Sequence, residues 1–98
     1  MTPSSSEPTI AVIGAGNLGG CLIAGLLDHG VSADRLTAID LREDLLTPLA
    51  SRGVAVAADV SAAGGLDVVV VAVKPQVADA VLQSLSAHLE STQLVISV

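Results

Sequence analysis

Aromatic residues are absent from this sequence, which contains no Phe, Trp or Tyr, so its core must be aliphatic. Hydrophobic residues still make up 51% of the 98 residues, which is enough for one small domain with a core. Aliphatic and β-branched runs suit strands that are buried on both faces, as in parallel sheets. We therefore expect one α/β domain.

Positive charge is also scarce, with four Lys and Arg against ten Asp and Glu and a net charge of −6. The cations are spread along the chain at Arg35, Arg42, Arg52 and Lys74. A nucleic-acid-binding surface needs clustered cations, so we expect no nucleic-acid partner. Small anionic ligands are compatible with this composition, because backbone N–H groups can bind a phosphate without a cationic side chain.

Long apolar runs are missing as well. The longest strand-like run, residues 68–73, is far shorter than the roughly 20 residues of a membrane span, so no membrane partner is expected. No secretory signal opens the chain. The single cysteine, Cys21, cannot form an internal disulfide and is compatible with a cytoplasmic location; we expect it to pack on the sheet. No metal-ligand spacing occurs, so no metal site is expected, and no residue is assigned a catalytic role.

Strand and helix patterns alternate along the chain. Residues 1–8 are predicted to be a disordered leader and residues 9–98 a dinucleotide-binding domain. Strands are predicted over residues 9–13, 36–40, 54–57, 67–73 and 94–98. Helices are predicted over residues 17–29, 42–52 and 75–89, with one helical turn opened by Asp59. This alternation predicts an α/β fold with a doubly wound, Rossmann-like parallel sheet in the strand order 3-2-1-4-5.

Helical periodicity predicts which side chains face the core. In the first helix the apolar stripe is Leu18, Leu22 and either Gly25 or Leu26, and in the third it runs from Val77 to Leu89 at four-residue spacing. Gly30 is predicted to end the first helix. The chain stops within an apolar strand with no helix to cover that edge, so we expect the natural polypeptide to continue beyond Val98.

The most specific motif is a glycine loop that directly follows a strand and opens a helix. It comprises Gly14, Ala15, Gly16, Asn17, Leu18 and Gly19. In a GxGxxG loop the first glycine permits a tight turn, the second lets a pyrophosphate approach the backbone, and the third allows close helix–sheet packing. The alternative is that these glycines only make a turn. We interpret Gly14, Gly16, Asn17, Leu18 and Gly19 as cofactor-binding residues.

Two residues at the end of the second strand bear on the choice of cofactor. Asp40 lies 21 residues after Gly19, where an acid binds the adenosine ribose and favours NAD. Arg42 could instead hold a 2′-phosphate and favour NADP. The alternatives are an N-cap role for Asp40 and a solvated charge for Arg42. The cofactor is therefore NADP or NAD.

Lys74 is the only lysine and follows the most apolar strand. Ligands of open α/β sheets bind at the carboxyl ends of strands near the first strand, so this turn should lie beside the glycine loop. We interpret Val73, Lys74 and Pro75 as residues that border the nicotinamide. The alternative is a plain turn that ends the strand and exposes a lysine.

Together these residues resemble the N-terminal domain of pyrroline-5-carboxylate reductases, in the runs IAVIGAGNLGGCLIAGLL, VVVVAVKPQ and LVISV. The resemblance covers nearly everything from Thr9 onward. It implies an enzyme that reduces the C=N bond of 1-pyrroline-5-carboxylate to L-proline with NADPH or NADH in proline biosynthesis. It also implies a homo-oligomer formed through a helical C-terminal domain that carries the substrate pocket and is not in this chain. By itself the chain should bind cofactor without turnover.

The sequence departs from the family in two places, at positions 40 and 41 and at position 59. Members often carry Ser, Asn or Arg around positions 40 and 41, where this chain has Asp40 and Leu41, and often Asn where it has Asp59. An acid at either place opposes a 2′-phosphate. Three other functions stay open. They are the cofactor domain of a 3-hydroxyacid or prephenate type of dehydrogenase, a stand-alone nucleotide-sensing module, and a methyltransferase with a similar glycine loop, which the third glycine disfavours.

Overall fold

A five-stranded parallel sheet forms the centre of the structure, a computed structural model that describes residues 8–90 and 93–98. Its strands are Ile10–Ile13 (β1), Leu36–Ile39 (β2), Ala55–Ala57 (β3), Val68–Val71 (β4) and Leu94–Ser97 (β5). They lie in the order β3-β2-β1-β4-β5, and every neighbouring pair is parallel. The predicted α/β class and strand order are confirmed. The predicted disordered leader, except for Pro8, falls outside the described residues.

Three α-helices connect the strands: Asn17–Asp28 (α1), Glu43–Ala50 (α2) and Pro75–Ser86 (α3). Each is shorter than predicted by one to three residues. Gly30, with φ of +97°, follows the end of α1 as predicted, and Pro75 occupies the first turn of α3, where its missing N–H costs no helical bond. Of the helices in the described ranges, none has both the length and the apolarity to cross a membrane.

Two short 3₁₀ segments complete the connections, at Ala33–Arg35 and Val60–Ala63. The first was not predicted. The second is the helical turn predicted after Asp59, whose carboxylate accepts a hydrogen bond from the Ser61 N–H at 2.9 Å. An Asx cap of this kind satisfies a backbone donor that a helical turn leaves without a partner.

The sheet is covered on both faces, as a doubly wound fold requires. Side chains alternate along each strand, so in-register residues of neighbouring strands share a face. One face packs against α1 and α2 through the buried residues Val12, Ile23, Leu36, Ala38, Leu46, Leu49, Val54 and Val70. The other packs against α3 and the second 3₁₀ segment through Ala11, Ile13, Ile39, Ala63, Val69, Val71 and Leu85.

The predicted inward stripes of α1 and α3 are partly wrong. Leu18 is 55% exposed, whereas Gly19 and Ile23 are buried, so α1 is rotated from the predicted orientation. The reason is the close approach of Gly19 to the strand end, which points Leu18 away from the sheet. Val77 in α3 is also exposed, at 48%. Cys21, expected to pack on the sheet, is exposed instead.

Candidate functional site

A cavity of about 1040 Å³ opens at the carboxyl ends of β1, β2 and β4. This is the edge of an open α/β sheet at which ligands bind, where the strand order reverses. The structure brings most of the predicted site residues together there: the lining includes Gly14, Gly16, Asn17, Leu18, Asp40, Arg42, Val73 and Lys74. Two predicted residues, Gly19 and Pro75, do not line it.

Gly14 and Gly19 hold the shape of the loop. Gly14 has φ of +99°, a conformation that side chains other than glycine rarely adopt, and a Cβ there would lie 2.6 Å from the Ala72 carbonyl oxygen. A Cβ on Gly19 would overlap the Gly14 carbonyl oxygen. Both glycines are therefore required by the fold itself, and the role of Gly19 is to let α1 pack closely on the loop.

Gly16 is different, because the protein itself does not require a glycine there. Its φ is −73°, and the nearest atom to a Cβ would be Arg42 Nη2 at 3.6 Å, an ordinary van der Waals distance. A Cβ at Gly16 would project towards the Arg42 side chain, and both residues line the cavity. The missing side chain at Gly16 thus enlarges the cavity where the loop meets Arg42.

The N-terminus of α1 faces this cavity. Its first intrahelical bond runs from the Gly20 N–H to the Gly16 carbonyl at 2.7 Å, so the preceding N–H groups of Asn17 and Leu18 have no partner within the helix. The first turn carries no acidic side chain. Free N–H donors and the positive end of the helix dipole are features that bind phosphate groups.

Asp40 lies directly after β2 and contacts the loop. Its Oδ2 accepts a hydrogen bond from the Ala15 N–H at 2.8 Å, and its Oδ1 accepts one from the Arg42 N–H at 3.0 Å. The Arg42 Nε lies 3.8 Å from the same Oδ1. The alternative N-cap role for Asp40 is wrong, because Arg42 is the N-cap of α2 and the Asp40 carboxylate bonds to the N–H of that cap.

The turn after β4 lies beside the glycine loop, as predicted. A Cβ on Gly14 would come within 3.0 Å of Val73 Cγ1, and Val73 and Lys74 both line the cavity. Lys74 is exposed and is the N-cap of α3. Pro75 holds the first turn of that helix and contributes backbone rigidity rather than a surface to the cavity.

An apolar wall of the cavity was missed by the sequence analysis. It consists of Leu41, Val60, Val77 and Val81, which also line an adjoining cavity of about 500 Å³. Leu41 is 84% exposed and Val77 48% exposed, although burial of such side chains is favourable. The only signal in the sequence was Leu41, an isolated apolar residue between a strand and the next helix. Single apolar residues of this kind are common on protein surfaces.

Asp59 also borders the adjoining cavity. The backbone N–H of Ser61 holds the pKa of the Asp59 carboxyl below its ordinary value, with a further contribution from the Ser61 hydroxyl. The charged form is favoured because it is the better acceptor of these bonds. Asp59 therefore keeps a negative charge on this rim at neutral pH.

Residues 9–98 match the family model described as NADP oxidoreductase coenzyme F420-dependent. A pyrroline-5-carboxylate reductase of Pseudomonas aeruginosa is 39% identical over 95 residues, which cover 95% of this chain and 35% of that protein. This chain therefore spans about a third of the length of such relatives.

Solved structures show the same likeness. A pyrroline-5-carboxylate reductase from Coxiella burnetii has a TM-score of 0.88 at 33% identity, covering 93% of this chain and 35% of that one. An imine reductase from Myxococcus stipitatus in complex with NADP⁺ has a TM-score of 0.79 at 29% identity, covering 93% and 32%. The predicted resemblance is confirmed, and the chain belongs to the NADP oxidoreductase coenzyme F420-dependent family.

Proposed function

We propose that this chain is the NAD(P)-binding domain of a pyrroline-5-carboxylate reductase. The observation that carries the proposal is the cavity at the end of β1, where the glycine loop, the N-terminus of α1 and the turn after β4 face one space. The similar P. aeruginosa and C. burnetii proteins, both named pyrroline-5-carboxylate reductases, support the substrate.

The glycine loop is the proposed pyrophosphate site. The N–H groups of Asn17 and Leu18 are suitable donors, and Gly16 leaves space for the phosphates to approach the backbone. Gly19 acts indirectly by fixing α1 against Gly14. The fit is supported by Gly16, whose missing Cβ has no other explanation in the packing of the chain.

The apolar wall suits the adenine. Leu41 and Val77 expose aliphatic side chains to the same space that Val60 and Val81 line, and a flat aromatic base would cover them. Arg42 lies between this wall and the glycine loop, where the ribose should lie. The exposure of these side chains in the protein alone is thus compatible with burial by a ligand.

Val73 and Lys74 would border the nicotinamide at the other end of the cavity, with Pro75 stiffening their turn. The bound reduced nicotinamide would supply the hydride that reduces the C=N bond. This chain's own contribution is to bind and orient, since correct positioning alone can supply a large part of a rate enhancement.

Other parts of the proposal concern the whole protein. Resemblance to the family supports 1-pyrroline-5-carboxylate as substrate, a homo-oligomer, and a substrate pocket in a second domain. It also supports binding without turnover by these 98 residues alone. A cytoplasmic location belongs to the same proposal, and the exposed thiol of Cys21 is compatible with a reducing compartment.

Cofactor binding is tested by titrating the chain with NADPH and NADH while following nicotinamide fluorescence, against a low background because Trp and Tyr are absent. We expect saturable binding of at least one cofactor. Gly16→Ala should weaken binding about tenfold or more without lowering the Tm, while Gly25→Ala, with open space around its Cβ, should leave binding unchanged. A folded chain that binds neither cofactor at about 1 mM contradicts the proposal.

The reductase activity needs a different assay. Residues of this chain can replace the matching N-terminal segment of the P. aeruginosa reductase. We expect the folded chimera to oxidise NADPH or NADH in the presence of 1-pyrroline-5-carboxylate. A chimera that binds the cofactor and is folded, yet reduces no 1-pyrroline-5-carboxylate, would argue for another dehydrogenase.

A further inference from the structure

Asp40 is largely enclosed by the protein, although it lies on the rim of the cavity. Its side chain is 14% exposed, while that of neighbouring Arg42 is 65% exposed. Both carboxylate oxygens already accept hydrogen bonds from the chain, one from the Ala15 N–H at 2.8 Å and one from the Arg42 N–H at 3.0 Å. Bonds of this kind, with a charged acceptor, are about twice as strong as neutral ones.

These bonds join segments that are distant in sequence. Ala15 lies 25 residues before Asp40, between the first two glycines of the loop. The preceding loop residue, Gly14, donates its N–H to the Ile39 carbonyl at 2.7 Å. Two successive loop residues are thus bonded to two successive residues at the end of β2, and the second of these bonds depends on the Asp40 side chain.

The charge of Asp40 is also compensated within the protein. Two N–H dipoles point at the carboxylate, and the guanidinium of Arg42 lies 3.8 Å away. Because Arg42 is mostly exposed, this ion pair is weak and its guanidinium is free to turn towards an anion. The Arg42 Nη2 lies next to Gly16, at the place where the loop meets the ribose region of the cavity.

We propose that Asp40 is a positioning residue that holds the phosphate-binding loop through Ala15, and that it supports the binding of NADPH and NADH alike by keeping this loop in place. This inference rests on the proposed function. By the general rule for dinucleotide-binding domains, the acid at the end of the second strand binds the ribose hydroxyls, whereas Asp40 would instead hold the loop. An acid that accepts ribose hydroxyls discriminates against NADPH. An acid that holds the loop supports the binding of both cofactors, because both place the same pyrophosphate on that loop.

The first experiment measures amide hydrogen exchange by NMR in the chain without cofactor. Asp40→Ala removes both acceptor oxygens and should make the Ala15 amide exchange about tenfold faster, with Val70 in β4 unchanged as an internal control. If Val70 also exchanges faster, Asp40→Ser is measured in the same way. Unchanged Ala15 exchange in a folded variant overturns the positioning role, whether or not the chain binds a cofactor.

The second experiment measures the Kd of NADPH and of NADH for the wild type, Asp40→Ala and Arg42→Gln. Asp40→Ala should weaken both cofactors by a similar factor, about tenfold. Arg42→Gln should weaken NADPH about tenfold and NADH less than about twofold, with Ala15 exchange as in the wild type. Loss of NADH binding alone in Asp40→Ala, with tighter NADPH, overturns the inference but leaves the proposed function intact.

Discussion

The carbonyl oxygen of Gly14 occupies the space that a Cβ on Gly19 would need. This contact ties the start of α1 to the end of β1 and sets which face of the helix meets the sheet. Ile23, one turn later, is fully buried as a consequence, and Leu18 points into the cavity. The third glycine of the motif is therefore part of the core and acts on the ligand only by placing the helix.

Gly19→Ala should destabilise the fold, because α1 would have to move away from the loop. Overpacking of this kind costs about 1–3 kcal/mol, or a Tm roughly 5–20 °C lower for a domain of this size. Thermal unfolding followed by circular dichroism measures the change. Gly25→Ala in the same helix is the matched control and should raise the Tm slightly, since its Cβ meets open space and alanine favours helix. Equal Tm values for the two variants would contradict this account.

Leu41→Ser tests the apolar wall. Leu41 is 84% exposed and lines both cavities, so its loss should leave the Tm nearly unchanged. Dinucleotide affinity should fall about fivefold, corresponding to roughly 1 kcal/mol of lost apolar burial. Leu94→Ser removes an exposed leucine of β5 outside the cavities and should not alter the affinity. A similar Kd for Leu41→Ser and the wild type would exclude Leu41 from the adenine site.

The topology and the loop could be predicted from the sequence because their causes are local. Alternating strand and helix patterns determine a parallel sheet, and right-handed crossovers leave few strand orders. The tight turn directly after β1 needs a residue with a positive φ, and the glycine at position 14 indicates this in the sequence. Gly30 ends α1 for a similar reason.

Other features could not be predicted because they depend on contacts between distant segments. The exposure of Leu18 follows from the Gly19 contact, which a periodicity pattern does not contain. The bond between Asp40 and Ala15 spans 25 residues, and the spacing rule for a strand-end acid does not distinguish a ribose acceptor from a residue that holds the loop. Leu41 and Val77 form one wall only after the sheet has brought α3 beside the end of β2.

Asp67 should stabilise the sheet without affecting the site. Its Oδ2 accepts bonds from the Thr9 N–H at 2.9 Å and the Thr9 hydroxyl at 3.2 Å, which join the starts of β1 and β4 at the edge opposite the cavity. Asp67→Ala should lower the free energy of unfolding by about 1–2 kcal/mol. Urea unfolding measures the loss, and cofactor titration should give an unchanged Kd. The control, Asp79→Ala, removes an exposed acid of α3; a weaker cofactor affinity in Asp67→Ala alone would contradict a purely structural role.

Asp59 should make stability depend on pH in the acid range. Its pKa is lowered from 3.8 in the folded chain, chiefly by the Ser61 backbone N–H, so the folded state favours the charged carboxylate. The resulting stabilisation is fully present above the ordinary pKa of the group and is lost as pH falls below about 3.8 towards the folded value.

Asp59→Asn and Asp59→Ser retain a capping oxygen but cannot titrate. Near neutral pH each should have a lower Tm than the wild type, and this difference should shrink as the pH falls from neutral to below 3.8. Tm values from circular dichroism across this range test the prediction. Wild-type and variant curves that stay parallel down to the lowest pH would show that the Asp59 charge does not stabilise the cap, and the Ser61 bond would then stabilise the turn only as a neutral hydrogen bond.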